Sequence, residues 1–449
     1  MTKKYTMSVG NDIGNSEADV YIDGKLVRQP NVFSSIGQLP WKDDDIDVQK
    51  NLKNIFDNLV VSIISPAVPT GMYTIGNHAL KTNGENVTSL YVKGNGSKAD
   101  QLVPYINTLA LIAARAVQKA YSENDNLNEA IEVEADMAAA LPVKQCSPTN
   151  TMKLRQKFML GSHLVTVHLG LTKSVTVKIQ FHYVHVLQEG TAVVFALQMN
   201  SNGDWRTTSY NADEVETEDT NLPGMFDEFA KIYGLGDIDG SYFEGKNLMH
   251  LDMGDGTADS PLTRGDAVDN DFGDGINNGV GHAITAAIPD LLTLAPYAFN
   301  SITRQQYSEI LKSQGSNKKH KFLNEALQAF NPHCDNQANQ ILHHSNDQIL
   351  KIGANDIDIV VAYGGGSILM KPMIYSKLKA ICDNTRIQLF YVPAEYAVTL
   401  NGEGLDYFVK SPIYEALKMK FLSSPEYVSM KKVEENKKSA VKQTASTKE

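Results

Sequence analysis

Residues 251–259 read LDMGDGTAD, an apolar strand end that runs into two glycines and three aspartates before the chain turns polar. Near the start, residues 11–19 read NDIGNSEAD. With Asp12 set against Asp252, Asp, Gly, Ala and Asp recur at the first, third, seventh and eighth places. A strand–Asp-x-Gly–strand hairpin has a definite chemistry. Glycine or asparagine admits φ > 0, so the turn closes tightly and successive backbone N–H groups point into one concavity. Such a nest binds phosphate oxygens, and a side chain with a Cβ obstructs their approach. Asp12 and Asp252, at the strand ends, then stand where phosphates and a cation meet. Mg²⁺ keeps most of its waters and needs only carboxylates and phosphate oxygens besides. Alone, either copy reads as an ordinary Asp-Gly turn. Two matched copies, each after a hydrophobic strand, predict a polyphosphate clamped between two domains.

A third glycine element points to the same site. IVVAYGGGSIL ends a buried strand in Gly364, Gly365 and Gly366 and opens a helix at Ser367. Backbone there can lie flat against a planar base or a ribose, with a helix N-terminus near the phosphates. No G-x-x-x-x-G-K-[ST] loop occurs, and the glycines do not form a first-strand G-x-G-x-x-G, so a P-loop or Rossmann site is disfavoured.

Hydrophobic patterning places these motifs on an α/β framework. YTMSVG and ADVYIDG alternate as strands, and KLVRQPNVFSSI continues them. Leu102–Tyr121 is the clearest helix, and IEVEADMAAALPV is a strand-like run stopped by Pro142. A short helix is expected around Thr149–Leu160, followed by two β-rich runs, and TAVVFALQ fits helix or strand by pattern alone. Residues 200–246 read as a polar surface insertion with one short helix near Met225–Tyr233. The second half opens with strand NLMHLDMG. Helix candidates follow at Ile276–Leu292, Thr303–Lys312 and, as one or two helices, Lys321–Leu350. Strands DIDIVVAY and IQLFYV and helices over Ala394–Phe421 complete it.

The order of these parts resembles the actin/Hsp70/sugar-kinase superfamily, and within it the bacterial actin-like proteins of the ParM plasmid-segregation type. The resemblance runs from about Ser8 to Phe408. It implies an actin-like (ribonuclease H-like) duplicated two-domain α/β fold with a nucleotide cleft between the domains. Domain I would comprise residues 1–187 and 396–425, and domain II residues 188–395 with the insertion. Asp12, Gly14 and Asn15 match the family's first phosphate motif; Gly254, Asp255, Gly256 and Thr257, after Asp252, form the second. Gly364, Gly365 and Gly366 match the adenosine motif, and Arg304 is a candidate ribose or phosphate contact, with a surface salt bridge as its other reading. LQEGTA resembles the first inter-domain connection, which makes Glu189 the candidate for orienting the attacking water; otherwise it is an exposed acid at a helix start. Gln188 stands where the family often has proline. AEYAVTLNGEG resembles the second connection, with Asn401 and Gly402 beginning the closing helix. The link from first connection to second hairpin is much longer here than the resemblance implies.

The implied function is an ATPase that forms filaments and segregates plasmid DNA. Glu189 and Asp252 would be catalytic, and Asp12 and Asp252 would hold Mg²⁺ through water. The expected ligands are ATP or ADP and Mg²⁺, and the expected partners are further copies of the chain and a DNA-bound adaptor of the ParR type. A sugar-type kinase and a non-hydrolysing cytoskeletal scaffold are the alternatives. Composition agrees with a globular chain, 42% hydrophobic and 21% charged over 449 residues. A net charge of −11 argues against a surface that coats nucleic acid directly. The start lacks the apolar core of a signal peptide, no membrane-length apolar run occurs, and three cysteines share no C-x-x-C spacing. Cytoplasmic residence without membrane attachment is expected. Residues 43–47, DDDID, read as a solvated loop, and about 430–449, rich in lysine and without aromatics after Tyr427, as a disordered tail.

Overall fold

The structure, a computed structural model, describes residues 3–41, 48–84, 86–90, 96–124, 126–207 and 223–432. The acidic run 43–47, Tyr210 and the tail beyond residue 432 lie outside them. Fifteen strands are described. The first ten are β1 (Lys3–Ile13), β2 (Glu17–Ile22), β3 (Lys25–Pro30), β4 (Val32–Ile36), β5 (Val60–Ile64), β6 (Gly71–Ile75), β7 (Thr88–Ser89), β8 (Ile131–Leu141), β9 (His163–His168) and β10 (Ser174–Gln188). They form one sheet in the order β3-β2-β1-β8-β10-β9-β5-β6-β4-β7. The others are β11 (Asn247–Met253), β12 (Ala258–Arg264), β13 (Ala267–Ile276), β14 (Ile359–Tyr363) and β15 (Gln388–Tyr391), in the order β13-β12-β11-β14-β15.

The two sheets share a plan. β1 turns back antiparallel on β2 and β2 on β3, while β8 runs parallel to both β1 and β10. In the same way β11, β12 and β13 form an antiparallel meander, and β14 runs parallel to both β11 and β15. The repeated sequence device is the first turn of each meander, so the duplication belongs to the whole architecture. It also explains the repeat's eighth place: Asp19 is the cross-strand partner of Asp12, and Asp259 that of Asp252.

Period-two alternation sorts side chains between the faces of each sheet. On the smaller sheet Leu248, Ile359, Val361 and Phe390 join the core of the larger one, while Met249, Leu251, Val360, Ala362 and Leu389 pack under the helices of the second half. Helix Val103–Ser122 is buried along almost its whole length, which explains its broad apolar stripe. TAVVFALQ is helical at Val193–Gln198, and all six of those residues are buried. A helix enclosed on every side has no polar face, so periodicity could not reveal it.

Three expectations need correction, and one open alternative is decided. Ile276 ends strand β13, opposite Ala258, and the helix expected there runs Val280–Leu294 instead. Of the one or two helices expected over Lys321–Leu350 the structure has one, Leu323–Ile352, with Pro332 inside it. Buried Ala326, Phe330, Cys334, Ala338 and Ile341 recur at spacings of three and four through that proline, so packing outweighs the hydrogen bond it removes. The third glycine helix starts at Gly365 rather than Ser367. Finally, the insertion is not simply a surface excursion. Its helix Asp227–Tyr233 is present, but Phe226, Phe229 and Phe243 are buried against Phe390 of β15, with ring centroids 5.8, 5.0 and 5.7 Å from it. Among the described residues no helix is long and apolar enough to cross a membrane.

Candidate active site

The site forms where the parallel strands of both sheets end. Asp12 lies near the end of β1, Glu189 directly follows β10, Asp252 lies near the end of β11, and Gly364 directly follows β14. Glu189 is fixed there by its backbone N–H, which donates to Leu141 O at 2.8 Å beside the end of β8. Gly190 follows with φ +86°, and a Cβ there would stand 2.6 Å from the Tyr363 hydroxyl. Glycine thus lets the first connection pass close against the second sheet.

Three acids, Glu189, Asp12 and Asp259, gather around one ammonium, and Asp252 shares their field. Asp252, Asp259 and Glu189 are buried and Asp12 is half-buried. Lys98, also buried, pairs with Glu189 Oε1 and donates to the Ile13 carbonyl at 3.0 Å. Its own backbone N–H is held by Gln145 Oε1 at 2.8 Å. Burial first, and then the charge of Glu189, push the Asp12 and Asp259 carboxyls up to about 7. The same two causes raise Asp252, opposed by a hydrogen bond from Asn401 Nδ2 to its Oδ2 at 2.6 Å. Lys98 is raised as well: its acidic neighbours outweigh the burial that would lower it. Such crowding of hard oxygen donors suits a divalent cation. Among the described residues no group of three or more His, Cys, Asp or Glu side chains is placed to hold a metal ion, so a cation here would take most of its ligands from phosphate and water.

The glycines of the second and third elements lock together. Gly364 has φ +90°, and a Cβ there would meet Asp252 Oδ1 at 2.5 Å and the Met253 carbonyl at 2.6 Å. A Cβ on Gly366 would meet the Met253 carbonyl at 2.7 Å, whereas Gly365 faces open space. In the second hairpin Gly254 N–H donates to Thr257 O at 2.9 Å, and the carbonyls of Gly254 and Asp255 accept from Val280 and Gly281 at 3.1 and 2.7 Å. Those bonds seat the N-terminus of helix Val280–Leu294 on the hairpin, and His282 Nε2 lies 3.0 Å from Gly256 O. Arg304 is ion-paired with Asp255 at 2.9 Å, its salt-bridge reading, and this places it at the hairpin's rim. In the first hairpin Gly14 O accepts from Asn31 Nδ2 at 2.6 Å; Asn15 is half-buried at the same turn.

Several contacts join the two halves across this site. Val143 N–H donates to Asp259 Oδ1 at 3.0 Å, Lys144 lies 3.5 Å from Asp274, and Lys312 Nζ lies 2.5 Å from Glu17 Oε1. Behind them, helix Leu400–Val409 crosses β1 so closely that a Cβ on Gly10 would stand 2.5 Å from Asp406 N. The same helix crosses the first connection at Gly404, where a Cβ would stand 2.1 Å from Ala192 O. Sequence reasoning missed Lys98, which sits in GNGSKADQ without any pattern, and gave no role to Asp259, although the repeat marked it. It also missed the hold of Asn401 on Asp252.

No family model matches the chain, and no curated protein matches it. Among solved structures it is similar to the actin-like protein Alp7A, at 17% identity and a TM-score of 0.60, covering 94% of this chain and 100% of that one. A ParM filament from Clostridium botulinum matches at 16% identity and a TM-score of 0.54, over 91% and 99% of the two chains. Bacillus thuringiensis ParM with ATP matches at 15% and 0.52, over 92% and 99%. At such identities the likeness is one of fold, and it extends over nearly the whole of each chain. The shared sheet plan, the paired hairpins and the helix that crosses behind them are those of an actin-like fold.

Proposed function

We propose that the chain is a cytoplasmic Mg-ATP-dependent ATPase that assembles into filaments and moves plasmid DNA through a DNA-bound adaptor of the ParR type. The observation that carries this reading is the convergence of two matched hairpins, with Asp12 and Asp252 at their bases, on Glu189 and Lys98. The fold likeness supports it, since the similar structures include ParM with ATP and a ParM filament. Plasmid cargo and adaptor rest on the family resemblance of the motif order.

In this reading residues 1–187 with 396–425, and 188–395, form the two domains. The hairpin amides cradle the phosphates. Asp12 and Asp252 hold a hydrated Mg²⁺, with Asn401 fixing the second carboxylate. When bound, that ion would neutralise phosphate charge and relieve the crowding of the acids around it. Glu189 orients the attacking water, and Lys98 keeps Glu189 in place while adding positive charge beside the first hairpin. Positioning and charge stabilisation of this kind suffice for phosphoryl transfer to water, where little covalent chemistry falls to the protein. Loss of the terminal phosphate removes contacts that bridge the two domains, so the closed arrangement loses differential stabilisation and the filament weakens.

Light scattering of the purified chain with and without Mg-ATP, alongside phosphate release, tests the proposal. ATP-dependent scattering with delayed phosphate release is the expected result. Calorimetry that finds no uptake of Mg-nucleotide, or uptake untouched by Asp252→Ala, would sink it.

A further inference from the structure

Besides the aromatics that seat it on β15, the insertion brings one charged side chain, Arg206, into the interior. Met199 and Trp205 form an isolated bridge, and the turn between them brings Arg206 back against the end of helix Val193–Gln198. There its backbone is held on both sides: Arg206 N–H donates to Gln198 O at 2.9 Å, and Gly240 N–H donates to Arg206 O at 2.7 Å. Its guanidinium points into the core. One nitrogen, NH1, donates to the Ala196 carbonyl and to Glu403 Oε2, both at 2.7 Å, and the group lies 5.8 Å from the Tyr396 ring centre. Both charged side chains are buried, at 4% and 0% exposure, and Thr399 donates its hydroxyl to the other Glu403 oxygen at 2.7 Å. A charge pair taken this far out of water is poor evidence for stability, since well-packed apolar side chains of similar volume serve as well or better. Its residue types therefore call for another reason.

That reason lies in what Glu403 rides on. Two residues earlier on the same helix is Asn401, which donates to Asp252. On either side of Glu403, Gly402 and Gly404 make the helix's close approaches to Tyr21 and to Ala192. Apart from Leu400, the large buried side chains of this helix, Leu405, Tyr407, Phe408 and Val409, lie in its second half, so around the two glycines the position of its first turn must be constrained in another way. The directional Arg206–Glu403–Thr399 network supplies that constraint. We propose that Arg206, delivered by the insertion, is a positioning residue: it sets helix Leu400–Val409 so that Asn401 holds Asp252 in its cation-binding orientation. The insertion and the cleft are thereby coupled through one buried ion pair. The cation-binding half of this inference rests on the ATPase reading; the helix-positioning half does not.

The test uses the full chain with Arg206→Met and Glu403→Met together, which avoids leaving one charge unpaired. Thermal unfolding is expected to stay close to that of the parent. Hydrogen exchange of residues 400–409 in the nucleotide-free protein is expected to accelerate tenfold or more, with residues 103–122 unchanged. The Mg²⁺ concentration needed for half-maximal binding of a fluorescent ATP analogue is expected to rise about tenfold. Asn401→Ala alone is expected to produce the same rise, and to add less than twofold when combined with the double change, because both act by one route. Arg206→Lys, which keeps the charge but not the planar fork, is expected to fall between parent and double variant. Parent-like exchange and Mg²⁺ dependence in the folded double variant overturn the inference. So does a full tenfold contribution from Asn401→Ala on top of it. If the parent itself ignores Mg-nucleotide, the ATPase reading fails, and the exchange measurement alone decides the positioning role.

Discussion

Replacing Asp259 by Asn should stabilise the cation-free protein at mildly alkaline pH and leave it unchanged in acid. The carboxyl is 2% exposed. Burial, then Glu189, raise it from 3.8 to about 7, although Thr257, the Val143 amide and Lys98 all act the other way. An acid raised in the folded state binds its proton more tightly there than in the unfolded chain. The stability this confers is complete below 3.8 and is lost as pH rises through about 7. Each pKa unit corresponds to about 1.4 kcal/mol, so ionising Asp259 within the folded protein costs up to about 4 kcal/mol at pH 8. Asp12, Asp252 and Glu189 share that field, and part of the cost is mutual, so Asp259→Asn should recover about 2–4 kcal/mol. The substituted amide oxygen still accepts the Val143 N–H. Urea unfolding of metal-free protein, followed by circular dichroism at about pH 5, 7 and 8, measures the effect. The gain should be largest at pH 8, fall to at most about 1.7 kcal/mol at pH 5, where the unfolded carboxyl is ionised and the folded one is not, and vanish well below 3.8. Millimolar Mg²⁺ should stabilise the parent at pH 8 more than the variant. A variant less stable than the parent at pH 8, or a gain of equal size at every pH, would refute the reasoning.

Glu189→Gln should slow phosphate release by roughly 10²–10⁴-fold while nucleotide binding and ATP-dependent scattering persist; rapid loss of its filaments would count against the role of Glu189. Lys98→Met strands a buried carboxylate and should cost about 3–5 kcal/mol in urea unfolding, most of it restored by adding Glu189→Gln. Failure of the second change to restore stability would show that the pair is not the reason. Gly364→Ala, at φ +90° with Asp252 Oδ1 only 2.5 Å from the new Cβ, should weaken Mg-nucleotide binding tenfold or more by calorimetry, whereas Gly365→Ala, facing open space, should change it less than twofold. Equal effects at the two positions would mean that the third glycine element does not shape the site.

The hairpins were legible because their requirements are local. An aspartate at a strand end, glycines for the turn and an apolar run before them specify a shape within a few residues, and a second copy confirms the first. The helix bearing Asn401 was likewise marked by its place in the motif order. Other features depend on chain brought from far away. Lys98 draws meaning from Ile13, Glu189 and Gln145, which no window around GNGSKADQ contains. β13, AVDNDFGDGI, has the composition of a loop, and pairing with β12 makes it a strand. The insertion looked like surface because its polar residues outnumber the few aromatics that bury it on β15. The ion pair of Arg206 and Glu403 joins residues 197 positions apart, and a lone arginine in a polar run carries no sign of such a partner.

The borders of the smaller sheet bear on how copies of the chain could meet. On one border the Leu389 amide, which would otherwise be open to a foreign strand, donates to the Tyr233 hydroxyl at 2.6 Å. On the other, β13 carries Asp269, held by Arg264, Asp274, held by Lys144, and the exposed Asp271, whose charge repels a second strand of the same kind. On the filament reading proposed above, a chain that polymerises on demand gains when accidental strand pairing is discouraged. On that reading, strand addition discouraged at both margins would leave growth to surfaces that nucleotide can govern.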